Sequence, residues 1–183
     1  MNSYSIIIPH YNGIEILSRC IKSIKEFSLK KHEIIIVDNA STDNSAEKIQ
    51  EKFPDLVIIK SNKNLGYAGG CNLGAEKAKN KYIIFLNNDT IVKKGWDEVL
   101  IDNLKNNNVS SVQPKIKNLS QKKYFDYAGA SGGFMDMFCY PFCRGRIFNT
   151  TEQDSNQYNS KEIIFWASGA GFITKKDVFI KSG

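Results

Sequence analysis

Histidine, cysteine and long apolar runs are all scarce in this sequence. Two histidines, His10 and His32, and four cysteines, Cys20, Cys71, Cys139 and Cys143, occur in 183 residues. So few cysteines in so long a chain exclude a disulfide-stapled miniprotein, and buried reduced thiols are the expectation. A zinc site is disfavoured, because Cys139 and Cys143 have no second Cys or His pair near them in sequence. No apolar run approaches the ~20 residues a membrane-spanning helix needs; Ile34 to Val37 and Tyr82 to Leu86 are typical. No basic leader precedes Pro9, so no signal peptide is readable. A cytoplasmic placement is expected, with the inner face of a membrane as an open alternative.

The chain is 42% hydrophobic, 24% charged and 11% aromatic, which suits one ordinary domain with a real core and excludes disorder. Lysine and arginine total 25 against 19 acids, leaving a net charge of +6 that favours anionic partners without selecting one. The basic residues are scattered, as on a solvated surface. A nucleic-acid-binding module would concentrate them on one face among aromatic platforms, so no nucleic-acid partner is expected.

Short β-branched runs alternate with amphipathic helical patterns through the first two thirds. Tyr4 to Ile8, Glu33 to Val37, Leu56 to Lys60, Tyr82 to Leu86 and Val109 to Lys117 read as strands. Leu17, Ile21, Ile24 and Phe27 make the apolar face of a first helix. A second, capped by Asp43 or Ser45, runs through Lys52; the spans 69–79 and 95–106 predict two more. Continuous apolar strands alternating with helices predict an α/β fold, a mostly parallel sheet with helices on both faces. From Asn118 to Lys161 no period is readable. Order returns at Ile163 to Trp166 and Gly169 to Ile173, ahead of a helical start at Lys176. One domain is expected, 1–183, with a ligand-binding half at 1–117 and an irregular region with the start of a second functional region at 118–183.

In a parallel sheet, ligands collect at the C-terminal strand ends, so the turns there matter most. They are unusually polar: Pro9-His10-Tyr11-Asn12, Asp38 to Asp43, Asn62 to Gly70, and Asn87-Asn88-Asp89-Thr90. Single turns of this kind are explained by backbone geometry and helix capping; four in succession are not. The first turn has neither a G-x-G-x-x-G dinucleotide signature nor a phosphate loop, which disfavours a Rossmann oxidoreductase or a P-loop enzyme. A divalent cation on a strand-end carboxylate could hold phosphates instead, and Asp89 is where that carboxylate should be.

The series Ile6-Ile7-Ile8-Pro9-His10-Tyr11-Asn12, Val37-Asp38-Asn39-Ala40-Ser41-Thr42-Asp43, Asn64-Leu65-Gly66-Tyr67 with Asn72, and Leu86-Asn87-Asn88-Asp89-Thr90 resembles family 2 glycosyltransferases of the GT-A fold. The Asn-Asn-Asp-Thr variant is most similar to their rhamnosyltransferase-like branch. Gly169-Ala170-Gly171-Phe172 and Lys175 to Gly183 also resemble a segment of that family, the one preceding its acceptor-side helix. The resemblance implies a Rossmann-like nucleotide-diphospho-sugar transferase that is inverting and metal-dependent. It would move a sugar from a UDP-, dTDP- or GDP-linked donor to a glycan or lipid-linked acceptor in surface polysaccharide assembly, with peripheral membrane contact compatible.

Carried onto this sequence, the resemblance makes Pro9, Tyr11, Asn12, Asp38 and Asn39 the base and ribose site. Asn64, Gly66 and Asn72 would shape the nucleotide wall. Asn88 and Asp89 match the end of the family's D-x-D motif, with Asp89 the ligand of Mg2+ or Mn2+ and Asn87 standing where the first acid would be. The family's general base would lie beyond Gly183, so the sequence is expected to be a piece of a longer enzyme, and Asp136, Glu152, Asp154 and Glu162 match no base position. A catalytic residue is not assigned. Rival readings are a nucleotidyltransferase, which should show a Gly-rich, Lys/Arg-bearing loop after the first strand, and a non-catalytic nucleotide-sugar-binding fragment. In the irregular region, Tyr140 to Arg146 offers aromatics for sugar faces and two arginines for phosphate, against a surface excursion packed on itself. Trp166 is read equally as a sugar platform or a core residue.

Overall fold

The computed structural model describes residues 3–182. Ten strands and five helices follow in chain order: β1 Tyr4–His10, α1 Ile14–Phe27, β2 His32–Asp38, α2 Ser45–Lys52, β3 Val57–Lys60, α3 Gly66–Lys77, β4 Tyr82–Leu86, α4 Trp96–Leu104, β5 Ser111–Val112, β6 Gly133–Met135, β7 Pro141–Cys143, β8 Arg146–Ile147, β9 Thr150–Thr151, β10 Gly171–Lys175 and α5 Lys176–Ser182. The main sheet has the order β3-β2-β1-β4-β10-β5. Its first four strands are parallel, while β10 runs antiparallel between β4 and β5.

Strand alternation divides the core in two. Tyr4, Ile6 and Ile8 of β1 point to one face, where Leu17, Ile21 and Ile24 of α1, Ile49 of α2 and Leu100, Ile101 and Leu104 of α4 cover them. Ile7 points to the other, with Ile35, Val37, Ile83 and Phe85, beneath Cys71 and Ala75 of α3. On the first face the wholly buried Asp97 carboxylate accepts from the Tyr4 hydroxyl at 3.0 Å and the backbone N–H groups of Leu29 and Lys30 at 3.0 and 2.8 Å. Those bonds compensate its removal from water and tie α4 to the α1–β2 connection.

α3 comes unusually close to the sheet because its inner face is glycine. A Cβ on Gly74 would lie 2.3 Å from Ile7 Cγ2, and one on Gly70 would lie 3.0 Å from both Pro9 Cβ and Asn39 Nδ2. The helix begins at Gly66, three residues before the expected Gly69, where the Asn64 side chain accepts the Gly66 N–H at 2.8 Å and starts the turn. It ends at Lys77, and α4 spans Trp96–Leu104 within the expected 95–106.

Other expectations need correction. Val109 to Lys117 is not one strand: Ser111–Val112 pairs with Thr174 and Ile173, and Lys117 makes only an isolated bridge to Phe125. Pro114 has no N–H to continue the ladder. The stretch from Asn118 to Lys161 is not without order, since β6 to β9 form a second, antiparallel sheet over Phe125, Ala130 and Cys143. Strands of two or three residues are too short to carry a period. Ile163 to Trp166 is no strand; Trp166 makes an isolated bridge to Gly133. Its ring covers Gly133, where a Cβ would lie 2.0 Å from the indole, and Nε1 donates to the Phe134 carbonyl at 2.9 Å. Three of the cysteines are buried and Cys139 is exposed, all four being free thiols. Among the described residues no helix is long and apolar enough to cross a membrane.

Gly74→Ala tests the α3 contact. Alanine is intrinsically better than glycine in a helix by about 1 kcal/mol, while overpacking a filled core costs roughly 1–3 kcal/mol. With Ile7 only 2.3 Å from the added carbon, overpacking should prevail. Thermal unfolding should show a midpoint several degrees lower; an unchanged or raised midpoint would mean the helix can lift off freely.

Candidate functional site

β1, β2 and β4 end side by side, and the residues at those ends, with the β3–α3 connection and the start of α3, enclose a cleft of about 300 Å3 lined by Pro9, His10, Tyr11, Asn39, Asn64, Gly66, Tyr67 and Asn88. Six of the residues singled out from sequence, Pro9, Tyr11, Asn39, Asn64, Gly66 and Asn88, are thus brought together. Asn12, Asp38 and Asn72 are outside this lining. Asn12 braces two turns, its Oδ1 accepting the Thr42 N–H at 2.8 Å, and buried Asp38 accepts the Ser41 N–H at 2.9 Å. Asn72 is exposed on α3.

The walls are built by the neighbouring elements. Tyr11 is 50% exposed, leaving its ring available to a flat ligand. Asn39 is buried, its Nδ2 donating to the Gly66 carbonyl at 3.1 Å while its Oδ1 is left without a partner. A buried acceptor in that state is costly unless a ligand satisfies it. Tyr67 donates its hydroxyl to the Gly169 carbonyl, and the next carbonyl, Ala170, accepts from the Asn87 N–H at 3.2 Å and the Thr90 hydroxyl at 3.4 Å. The segment before β10 therefore clamps α3 to the turn that follows β4.

Asp89 is exposed in that turn, and among the described residues its carboxylate has no hydrogen bond or ion pair. Cys20 lies beneath, its thiol pushed up to about 12 by burial and then by the Asp89 charge. No cluster of three or more His, Cys, Asp or Glu side chains occurs among the described residues, so any cation would need ligands from elsewhere.

Two lining residues were not assigned from sequence. Tyr67 was visible only as the fourth residue of Asn64-Leu65-Gly66-Tyr67. His10, between Pro9 and Tyr11, is 1% exposed, with Nδ1 2.9 Å from Asn88 Nδ2 and Nε2 2.8 Å from Ser45 Oγ. Its signal was position, a polar side chain right after the apolar run Ile6 to Pro9. Burial lowers its pKa, against smaller raising effects of Asp38 and Asp43.

Residues 5–181 match the family described as Glycosyl transferase family 2. The chain belongs to that family. It is 31% identical over 166 residues to Glycosyltransferase GlyG of Streptococcus pneumoniae serotype 4, covering 88% of this chain and 50% of GlyG. It superposes on Staphylococcus aureus TarS 1–349 in complex with UDP with a TM-score of 0.68 at 17% identity, covering 100% of this chain and 49% of that one. A mannosyltransferase, PcManGT from Pyrobaculum calidifontis, in complex with GDP-Man and Mn2+, gives 0.57 at 21% identity over 62% of this chain and 35% of that one. The fold is thus of the GT-A type. The chain spans half the length of GlyG and less of the next curated relatives it matches.

In this family 2 chain the late acids are mostly occupied. Asp136 accepts the Phe138 and Tyr140 N–H groups at 2.8 and 3.0 Å, and Glu152 accepts from Tyr158 at 3.0 Å. Against the raising effect of burial, Lys115 and Lys117 hold Asp154 down to about 2. Glu162 is exposed. Arg144 lies over the Phe134 and Tyr158 rings and Arg146 over Tyr127, so both cations already have aromatic partners.

The lowered pKa of His10 makes stability depend on pH. An unfolded histidine binds its proton near 6.5, the folded one only at lower pH, so the stabilisation is present above ~6.5 and is lost as pH falls below it. Urea midpoints at pH 7.5 and 5.5 should differ more for the parent than for His10→Asn. An equal drop in both would show that His10 titrates normally.

Proposed function

We propose that this chain serves an inverting glycosyltransferase, moving a sugar from a nucleotide-diphospho-sugar to a glycan or lipid-linked acceptor. One observation carries the reading: an exposed tyrosine and an orphaned buried amide oxygen line one cleft at the strand ends of a family 2 fold, and the free carboxylate of Asp89 follows the lining residue Asn88 in the same turn. Tyr11 stacks on the nucleobase. Asn39 Oδ1 accepts a base or ribose donor, Asn64 and Gly66 shape the nucleotide wall, and Asn12 and Asp38 hold the turns around it. Residues 1–117 form the donor half, and 118–183 contribute the start of the acceptor side.

The cleft lining contains no lysine or arginine, so a diphosphate bound there requires positive charge from another source. Asp89, an unpaired hard oxygen donor in the turn that contributes Asn88, fits a divalent cation held jointly by a carboxylate and substrate phosphates, as Mg2+ or Mn2+ commonly is. When bound, that ion neutralises charge building on the departing diphosphate. The acceptor hydroxyl attacks the anomeric carbon as the carbon–oxygen bond to the diphosphate breaks, and a carboxylate takes the hydroxyl proton. The Asn-Asn-Asp-Thr turn supports the rhamnosyltransferase-like branch. The complexes of TarS with UDP and of PcManGT with GDP-Man support a uridine or guanosine donor, dTDP-sugars sharing the same imide edge with uridine. Cytoplasmic work at a membrane face agrees with a lipid-linked acceptor. A nucleotidyltransferase is disfavoured by a first turn without glycine-rich, cationic character.

Calorimetry with UDP, dTDP and GDP, with and without Mn2+, tests the donor site. Tyr11→Ala should weaken nucleotide binding roughly 5- to 150-fold, the worth of a stacked ring at ~1–3 kcal/mol. Parent-like binding would put the base elsewhere. Asp89→Asn should fold normally and lose the Mn2+ enhancement; an undiminished enhancement would remove Asp89 from the metal's ligands.

A further inference from the structure

We infer that His10 is a positioning residue: it turns the Asn88 side-chain amide so that Nδ2 faces the protein and Oδ1 faces the cleft, as an acceptor for a hydroxyl of the bound nucleotide-sugar. This deepens, and rests on, the donor reading of the cleft. Three elements meet at the imidazole: the end of β1, the first residue of α2, and the turn after β4 that carries Asn88 and Asp89. Both ring nitrogens are engaged, at 2.9 Å to Asn88 Nδ2 and 2.8 Å to Ser45 Oγ.

The direction of the chain follows from the amide. Asn88 Nδ2 carries only protons and can only donate, so Nδ1, 2.9 Å away, offers its lone pair. A neutral imidazole carries one proton, which is then on Nε2 and is donated to Ser45 Oγ at 2.8 Å. Beyond Ser45, Asp43 accepts the Gly13 N–H at 2.7 Å and the Ser45 N–H at 3.0 Å. Its carboxyl is held down to about 2, first by the Ser45 side chain and then by the Gly13 N–H, which agrees with a Ser45 proton directed away from His10.

The consequence lies in the cleft. The other branch of the Asn88 amide is then an oxygen, next in sequence to the Asp89 carboxylate. An NH2 at that place would attract phosphate oxygens; a carbonyl repels them and takes hydroxyl donors. His10 thus acts on substrate only through Asn88. Since the histidine is buried to 1% exposure and both its ring nitrogens are engaged, the amide does not exchange faces freely.

Two variants separate the bonds. Asparagine at position 10 places an amide oxygen near the site of Nδ1, whereas glutamine reaches the site of Nε2. His10→Asn should retain UDP and GDP affinity, in the presence of Mn2+, within about twofold of the parent. His10→Gln should lose about 2- to 10-fold, the worth of one hydrogen bond, and adding Asn88→Ala to it should cost nothing more. Losses that merely follow the thermal midpoints of the two variants would show a structural role and overturn the inference. A ligand-free arm keeps it separate from the donor reading: nitrogen NMR of the imidazole should report Nε2 protonated and Nδ1 not. The opposite tautomer overturns the inference whatever the cleft binds. The expected tautomer in a parent chain that binds no nucleotide upholds the orientation of Asn88 and overturns its contact with donor.

Discussion

Everything at the cleft depends on how closely α3 lies against the sheet. Gly74 lets the helix rest on Ile7, and Gly70 lets it rest on Pro9 and Asn39. That approach puts Gly66 within reach of Asn39 Nδ2 and Tyr67 within reach of Gly169. Through Ala170 the same contact reaches the turn after β4. A helix held off by side chains would leave the strand ends open and the two halves of the site unconnected.

Charge is distributed against simple expectation. The chain is basic by six charges, yet no cation lines the cleft. Lysine gathers instead at the opposite end of β4, where Lys79, Lys81, Lys176 and Lys181 line a cavity of about 680 Å3. The cleft is furnished with amides, hydroxyls and one neutral imidazole, groups that read hydroxyls and base edges. The charge next to it in sequence, Asp89 after Asn88, is a carboxylate. For an anionic donor, that combination makes a divalent cation part of the binding problem.

The parallel half of the fold was legible because β1, β2 and β4 are built around the buried apolar runs Ile6 to Ile8, Ile34 to Val37 and Tyr82 to Leu86. Much of the cleft was legible for a related reason. Strand ends in such a sheet converge, so polar residues just after each run had to meet. Asn12, Asp38 and Asn72 show the limit of that rule: a residue beside the motif can be used for turn geometry or point along the helix surface. The second sheet was not legible, since strands of two or three residues held by Phe125, Trp166 and Gly133 have no periodic trace.

Local pattern by itself determined the first four strands and four helices, that the sheet is mostly parallel, and at which edge ligands gather, because apolar period and turn chemistry act over a few residues. Only the tertiary structure decided that β10 enters antiparallel between β4 and β5, that α3 sits close enough to wall the cleft, and that His10 joins Ser45 to Asn88. Those facts rest on contacts between residues dozens of positions apart. Such contacts are set by side-chain shape and hydrogen-bond direction in three dimensions, which no local period encodes.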